Sequence, residues 1–252
     1  MAEQRVAIIT GGSRGIGRAT VAAFVEAGFR VLFTYRERDA EARALEEQLR
    51  VAGGELRAHK ADVADRNAAR SVVDAALQAY GQVDVLVNNA GVHVPGVRLG
   101  DLDVSDWQYV LDVNVNGPFH MIQAVLPHMR SRKRGHIITL SSNATVRLPA
   151  GNGVYTVSKV AIEAMTKVLS KEEGPNGIRV NAVAPGPVRT DMLAESLAKL
   201  PPQKAEAFIK SVPLGRMGEP HEIAAVIVFI ASDAASYMTG QVVFVNGGGP
   251  TG

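Results

Sequence analysis

Arg5-Val6-Ala7-Ile8-Ile9-Thr10, followed by Gly11-Gly12-Ser13-Arg14-Gly15-Ile16-Gly17, decides the class of fold. The first six residues are apolar and β-branched without polar alternation, the pattern of a strand buried on both faces. The glycines come next, and an Ala- and Val-rich helical stretch then runs to about Ala27. Strand, glycine-rich turn and helix in that order aim backbone N–H groups and the positive end of a helix at a phosphate. Glycines at 11, 15 and 17 let the chain turn sharply, approach a pyrophosphate and pack the helix against the sheet. Gly11, Ser13, Arg14, Gly15, Ile16 and Gly17 are therefore the candidate cradle of a dinucleotide. The same residues also spell Gly-x-Ser-x-Gly, the nucleophile elbow of a serine hydrolase. Against that, the motif sits on the first strand, no HGGG-type oxyanion segment is present, and only His221 falls late in the chain.

Working outward, a second strand is expected over 30–35. Its end lies about 20 residues past the glycines, where a carboxylate would hold a ribose 2′-OH. Here the residues are Thr34, Tyr35 and Arg36. Arg36 and Arg14 offer two guanidinium groups to a 2′-phosphate, which favours NADP(H) over NAD(H). Strands over 55–60 and 83–87 alternate with helices over 38–52 and 66–80, so βαβ units and a parallel sheet follow. At the strand ends, Asp62 with Val63 stands where a short polar side chain could hydrogen-bond the adenine, and Asn88, Ala90 and Gly91 are expected beside the ligand crevice. One helix is expected from 105 to 130, with Asn114 an unfavourable interior residue unless tied down. Arg130-Ser131-Arg132-Lys133-Arg134 reads as a solvated basic corner. Strand 136–140 then leads to Ser142, whose hydroxyl can orient a carbonyl.

Thirteen residues on, Tyr155 and Lys159 stand one helical turn apart on one face. A free phenol, with a pKa of roughly 10, transfers protons poorly near neutrality. A neighbouring ammonium favours the phenolate and brings it toward the working range. The pair can then protonate a carbonyl oxygen as hydride reaches its carbon, or run the reverse step.

Composition sets the outer limits. The 252 residues, 46% hydrophobic, suit one domain over 1–252 with a well-buried core. With 27 basic and 25 acidic side chains there is no electrostatic case for nucleic acid. Cysteine is absent, which excludes disulfides, thiol nucleophiles and Cys-ligated metals. The six histidines show no close pair with metal-ligand spacing, and no metal is expected. No apolar run approaches the roughly 20 residues that span a bilayer, and Met1–Thr10 lacks a signal-peptide core. A cytoplasmic protein is the expectation.

Taken together, Thr10-Gly11-(x)3-Gly15-Ile16-Gly17, Asn88-Asn89-Ala90-Gly91, Asn114, Ser142, Tyr155-(x)3-Lys159 and Pro185-Gly186 resemble the short-chain dehydrogenase/reductase family over essentially the whole length. The resemblance implies a doubly wound (Rossmann) α/β fold with a seven-stranded parallel sheet and helices on both faces. It implies Tyr155 as general acid/base, Lys159 holding the nicotinamide ribose, Ser142 positioning the carbonyl and Asn114 supporting a relay water. Pro185, Gly186, Val188 and Thr190 would meet the nicotinamide end. Within the family the chain is most similar to 3-oxoacyl-[acyl-carrier-protein] reductases, through TGGSRGIG and RVNAVAPG. That similarity implies acyl carrier protein as a partner, docked by two basic residues; Lys133 fits one, whereas Asn176 stands at the other. The family's habit implies a homotetramer, here through the apolar faces of 105–130 and 153–173.

Between about 190 and 218 the strand–helix rhythm breaks into two short helices around Pro201-Pro202, where a lid would lie. Val94, Leu148, Asn152, Pro187 and Met192 are candidate pocket residues, and Arg147 a candidate for an anionic group. A sugar, polyol or other alcohol dehydrogenase of the same family is the alternative function, and a non-catalytic dinucleotide sensor a further rival.

Overall fold

The chain alternates strand and helix through β1 (Val6–Ile9), α1 (Gly15–Glu26), β2 (Arg30–Tyr35), α2 (Asp39–Val51), β3 (Leu56–Lys60), α3 (Arg66–Tyr80) and β4 (Val85–Asn88). It continues with α4 (Val104–Leu111), α5 (Gly117–Arg132), β5 (Gly135–Leu140), α6 (Ala144–Arg147), α7 (Gly153–Glu173) and β6 (Ile178–Pro185). Helices α8 (Asp191–Ala198), α9 (Pro202–Lys210) and α10 (Pro220–Ala231) precede the last strand, β7 (Val242–Val245). This computed structural model describes residues 4–249; the first and last three residues of the expected 1–252 domain lie outside them.

All seven strands are parallel, in the order β3-β2-β1-β4-β5-β6-β7. The expected doubly wound sheet is therefore present. Its winding reverses between β1 and β4, and the crevice beyond the strands' carboxyl ends opens there. Successive side chains of β1 supply opposite faces. Ala7 and Ile9 pack with Phe24, Leu45, Ile223 and Ile227 beneath α1, α2 and α10. Val6 and Ile8 pack with Val72, Met121, Val125 and Ile137 beneath α3 and α5. Burial on both faces is why this strand shows no polar alternation.

Two expectations need correcting. The helix expected over 105–130 is interrupted by a π-helical turn at Asp112–Asn116. Asn114 causes no unravelling because its amide is satisfied elsewhere: Oδ1 accepts from Val92 N at 2.8 Å, and Nδ2 donates to Val92 O at 2.9 Å. The extra residue in the turn leaves Asn114 buried in the interior. The basic corner is not simply solvated either. Arg130 pairs with the buried carboxylate of Glu173, and Arg132 with buried Asp84 at 3.3 Å. Asp84 also accepts from Val6 N at 2.8 Å, so this corner neutralises charges that would otherwise be costly to bury.

At the same end of the sheet, Arg179 Nη2 donates to His136 Nδ1 at 2.7 Å and to Ile230 O at 2.8 Å. Burial, reinforced by the Arg179 charge, pushes the His136 pKa down to about 4. The ring is a neutral acceptor at physiological pH.

Candidate active site

A cleft of about 800 Å³ opens at the carboxyl ends of the strands, walled by the glycine turn, the ends of β2, β4, β5 and β6, and helices α7, α8 and α9. The turn is held in a single shape by crowding. Gly11 has φ +67°, and a Cβ there would sit 2.9 Å from Ala90 Cα. A Cβ on Gly17 would sit 2.1 Å from Gly11 O. Asn89 Nδ2 donates to Thr10 O (2.8 Å) and Gly11 O (3.1 Å), while the N–H groups of Asn89 and Ala90 both reach Thr10 Oγ1 at 3.0 Å. The two turns that line the crevice are thus one hydrogen-bonded unit. Arg14, at the N-cap of α1, makes no capping bond with its side chain, so it leaves the first-turn N–H groups without a side-chain acceptor. That donor set fits a pyrophosphate.

Gly11, Ser13, Arg14, Gly15, Ile16, Gly17, Tyr35, Arg36, Asp62, Val63, Ala90 and Gly91 all line this cleft. Arg36 Nη1 donates to Tyr109 OH at 3.1 Å, and its other nitrogen meets Glu37 at 2.6 Å. The Tyr109 hydrogen bond is the main reason its pKa rises. Arg14 pairs with Asp191 at 3.3 Å. Arg38, two residues past Arg36, is a third guanidinium on the wall, paired with Glu41 at 2.9 Å. Sequence reasoning passed over it, although Arg-x-Arg after a strand was the available signal. Asn88 departs from expectation. Its buried side chain turns to Thr139 Oγ1 (3.4 Å) with Oδ1 unpartnered, and its neighbour Asn89 lines the cleft instead.

Ser142, Tyr155 and Lys159 converge on the opposite wall. Lys159 Nζ donates to Leu140 O at 2.6 Å and lies 5.6 Å from the Tyr155 ring centroid. Burial lowers the Lys159 pKa to about 8. Burial also raises the Tyr155 phenol above its ordinary value, with the Ser142 hydroxyl pulling the other way. In the protein alone, desolvation sets the direction for the phenol. Asn114 does not reach the cleft wall. It stands behind Gly91, where a Cβ would lie 3.4 Å from Asn114 Oδ1 and 3.6 Å from Lys159 Nζ, and it also donates to Ser158 Oγ at 3.0 Å.

Pro185, Gly186, Val188 and Thr190 line the cleft between these walls. A Cβ on Gly15 would come 3.4 Å from the Thr190 methyl, so this stretch closes against the glycine turn. Thr190 also caps α8, accepting from Leu193 N at 3.4 Å. Toward the open end, Arg147, Asn152, Pro187, Met192, Leu193, Leu197 and Phe208 face the cleft; Val94 and Leu148 do not. His93 and Ser196 were missed, though His93 follows directly on Asn-Asn-Ala-Gly-Val.

Comparison with known proteins bears on this arrangement. A family model described as enoyl-(acyl carrier protein) reductase matches residues 11–249. The chain is 38% identical to the 3-oxoacyl-[acyl-carrier-protein] reductase FabG of Thermotoga maritima over 246 residues, covering 98% of each chain. It is 39% identical to the short-chain reductase protein NovJ of Streptomyces niveus over 253 residues, 99% of this chain and 95% of NovJ. The crystal structure of levodione reductase matches with a TM-score of 0.93 at 31% identity, covering 97% of this chain and 96% of that one. With a parallel seven-stranded sheet, a glycine turn at its switch point and near-full-length relatives of this kind, the chain belongs to the short-chain dehydrogenase/reductase family of oxidoreductases.

Proposed function

We propose that the protein is an NADP(H)-dependent reductase that converts a carbonyl, a 3-oxoacyl thioester or related ketone, to a secondary alcohol. The observation that carries this is the meeting of Ser142, Tyr155 and Lys159 on one wall of a cleft that has guanidinium groups and a glycine turn at its other end. The glycine turn would hold the pyrophosphate, Arg14 and Arg36 the 2′-phosphate, Asp62 and Val63 the adenine, and Lys159 with Pro185, Gly186, Val188 and Thr190 the nicotinamide end. Bound NADPH supplies the hydride.

The chain's own part is proton transfer and orientation. Ser142 Oγ, beside the phenol, directs the substrate oxygen toward Tyr155. A phenol kept protonated by burial suits the acid role, giving its proton to the oxygen during reduction. Lys159, anchored on Leu140 O, keeps a cation beside the ring, which steadies the phenolate left behind. Positioned acids of this kind contribute about 10²- to 10⁴-fold. Asn114 fixes the Gly91–Val92 backbone against which Lys159 packs.

The relatives' names support acyl-carrier substrates. Lys133, the expected docking cation, sits in a left-handed turn before β5, at the end of the sheet away from the cleft of its own chain. Exposed Phe119, Val157, Val160 and Val168 on α5 and α7 support assembly into a homotetramer. No helix among the described residues is long and apolar enough to cross a membrane, which is consistent with a cytoplasmic protein. The test is NADPH oxidation followed by absorbance across β-ketoacyl thioesters, enoyl thioesters, simple ketones, quinones and sugars. Turnover of ketones that vanishes in Tyr155→Phe supports the assignment; turnover confined to enoyl thioesters or sugars overturns it.

A further inference from the structure

Among the described residues, every Lys and Arg side chain on the cleft walls has an oxygen partner except Arg147. Arg14 meets Asp191, Arg36 meets Glu37, Arg38 meets Glu41, Lys159 reaches the Leu140 carbonyl and Lys199 the Pro95 carbonyl. Arg147 has a ring instead: its guanidinium lies over Phe208 of α9, 5.0 Å from the centroid. A ring face holds the plane of a guanidinium and leaves the N–H donors at its edge available. The acidic side chains of the cleft do not take them. Glu37 and Asp62 sit beside Arg36, Asp191 sits beside Arg14, and Glu195 makes no ion pair with Arg147.

The backbone ties this cation to the serine that directs the carbonyl. Helix α6 is a single turn that starts from Ser142, whose carbonyl accepts from Thr145 N at 3.2 Å and from Thr145 Oγ1 at 2.9 Å. It stops directly after Arg147, where Leu148 takes a left-handed φ of +46°, an uncommon conformation for a bulky side chain. A helix advances about 1.5 Å per residue, so the Arg147 backbone stands only about 7.5 Å beyond Ser142. Pro149, Ala150, Met192, Leu193 and Leu197, which share this part of the cleft, are apolar. A cation without an acceptor, a short step from the carbonyl-directing serine and among apolar walls, fits a substrate whose other end is an oxyanion.

We propose that Arg147 is a specificity residue for a carboxylate on the substrate, a ketone whose far end bears that group a few carbons from the carbonyl. The edge of the guanidinium grips the carboxylate while the connecting carbons lie along the apolar wall. This rests on the reductase reading above and names the substrate class for it. Guanidinium and carboxylate match as a planar two-bond fork, which a lysine does not reproduce. The short spacing from Ser142 favours a carboxylate a few carbons away over the phosphate of a carrier arm, many bonds distant.

The test compares 7-oxooctanoate with its methyl ester, by NADPH oxidation and by calorimetric binding to the protein with and without NADP⁺. The wild type should prefer the acid in kcat/KM. Arg147→Ala should lower the acid-to-ester ratio about tenfold, the effect of losing a hydrogen bond between charged groups, and mainly through KM. Arg147→Lys should recover only part of that ratio, and Arg147→Glu should take it below the alanine value. A merely structural role shifts both substrates together and leaves the ratio alone. The same ratio in the wild type and in Arg147→Ala overturns the proposal. So does discrimination that Arg147→Ala removes only between acetoacetyl-CoA and acetoacetyl-N-acetylcysteamine, which would put a phosphate on Arg147. Acid binding that weakens about tenfold in Arg147→Ala, with no ketone oxidising NADPH, keeps the carboxylate site and removes the reductase assignment. Oxidation by both substrates with an unchanged ratio does the reverse.

Discussion

The glycine-turn wall of the cleft and the helical pair opposite it are built on different principles. The first rests on strands buried on both faces and on glycines with no room for a side chain. The second, α8 and α9, contains no fully buried residue and is held by Arg14–Asp191, His93–Ser196, Lys199–Pro95 and the Thr190 cap. Apolar burial is worth about 25 cal/mol per Å², whereas exposed polar contacts return less than about 1 kcal/mol each. One wall is therefore a rigid template and the other adjusts.

Two phenylalanines expose the contrast most directly, and the first gives the largest effect. Phe33 on β2 is fully buried, so Phe33→Ala should cost about 3–5 kcal/mol in urea unfolding. A loss under 1 kcal/mol would mean the template is not what holds the fold. Tyr155→Phe should lower kcat about 10³-fold while leaving NADPH affinity and melting temperature near wild type, since the substitution removes the hydroxyl and keeps the ring in place. A matching fall in cofactor affinity would place Tyr155 in binding instead.

Acid should loosen the template through His136. Its pKa is lowered to about 4 in the fold, so the unfolded chain binds more protons between pH 6.5 and 4. Stability is unaffected above that window and should decline by about 3 kcal/mol as pH falls through it. His136→Asn should flatten that slope in pH-dependent denaturation; an unchanged slope would remove His136 from the account. Arg36→Asp should weaken NADPH about 10- to 100-fold and leave NADH within a fewfold, measured by fluorescence titration. Equal losses for both would refute the 2′-phosphate assignment. Smallest of all, Phe208→Ala on α9 should change stability by less than about 1 kcal/mol yet raise KM, because that half-buried ring lies under Arg147 on the cleft wall.

The template was legible because its signals are local. Uninterrupted β-branched runs mark strands buried on both faces, glycine spacing marks the turn, and Tyr155 and Lys159 share a helix face. What stayed hidden depends on residues distant along the chain. Arg132 could be assigned to a solvated corner only while the buried Asp84 beneath it was unknown. Asn88 and Asn89 must point to opposite sides of their strand end, and only the pairing with β5 shows that Asn89 takes the cleft. The π turn at Asn114 follows from the approach of Val92, 22 residues earlier. Proximity of Lys159 to Tyr155 was readable; the desolvation of the phenol was not.

The pairing of β1 with β4 has a consequence for how the polypeptide assembles. Val6 and Asp84 meet across 78 residues, and that closure sits at the centre of the sheet. Until the fourth strand has emerged, one side of β1 is an unsatisfied edge of backbone groups, open to mispairing with other chains. Non-local closure of this length is slow relative to helix formation. The glycine turn, whose Thr10 Oγ1 accepts from Asn89 and Ala90, takes its final shape only with that late step, and the proposed phosphate cradle is complete no earlier.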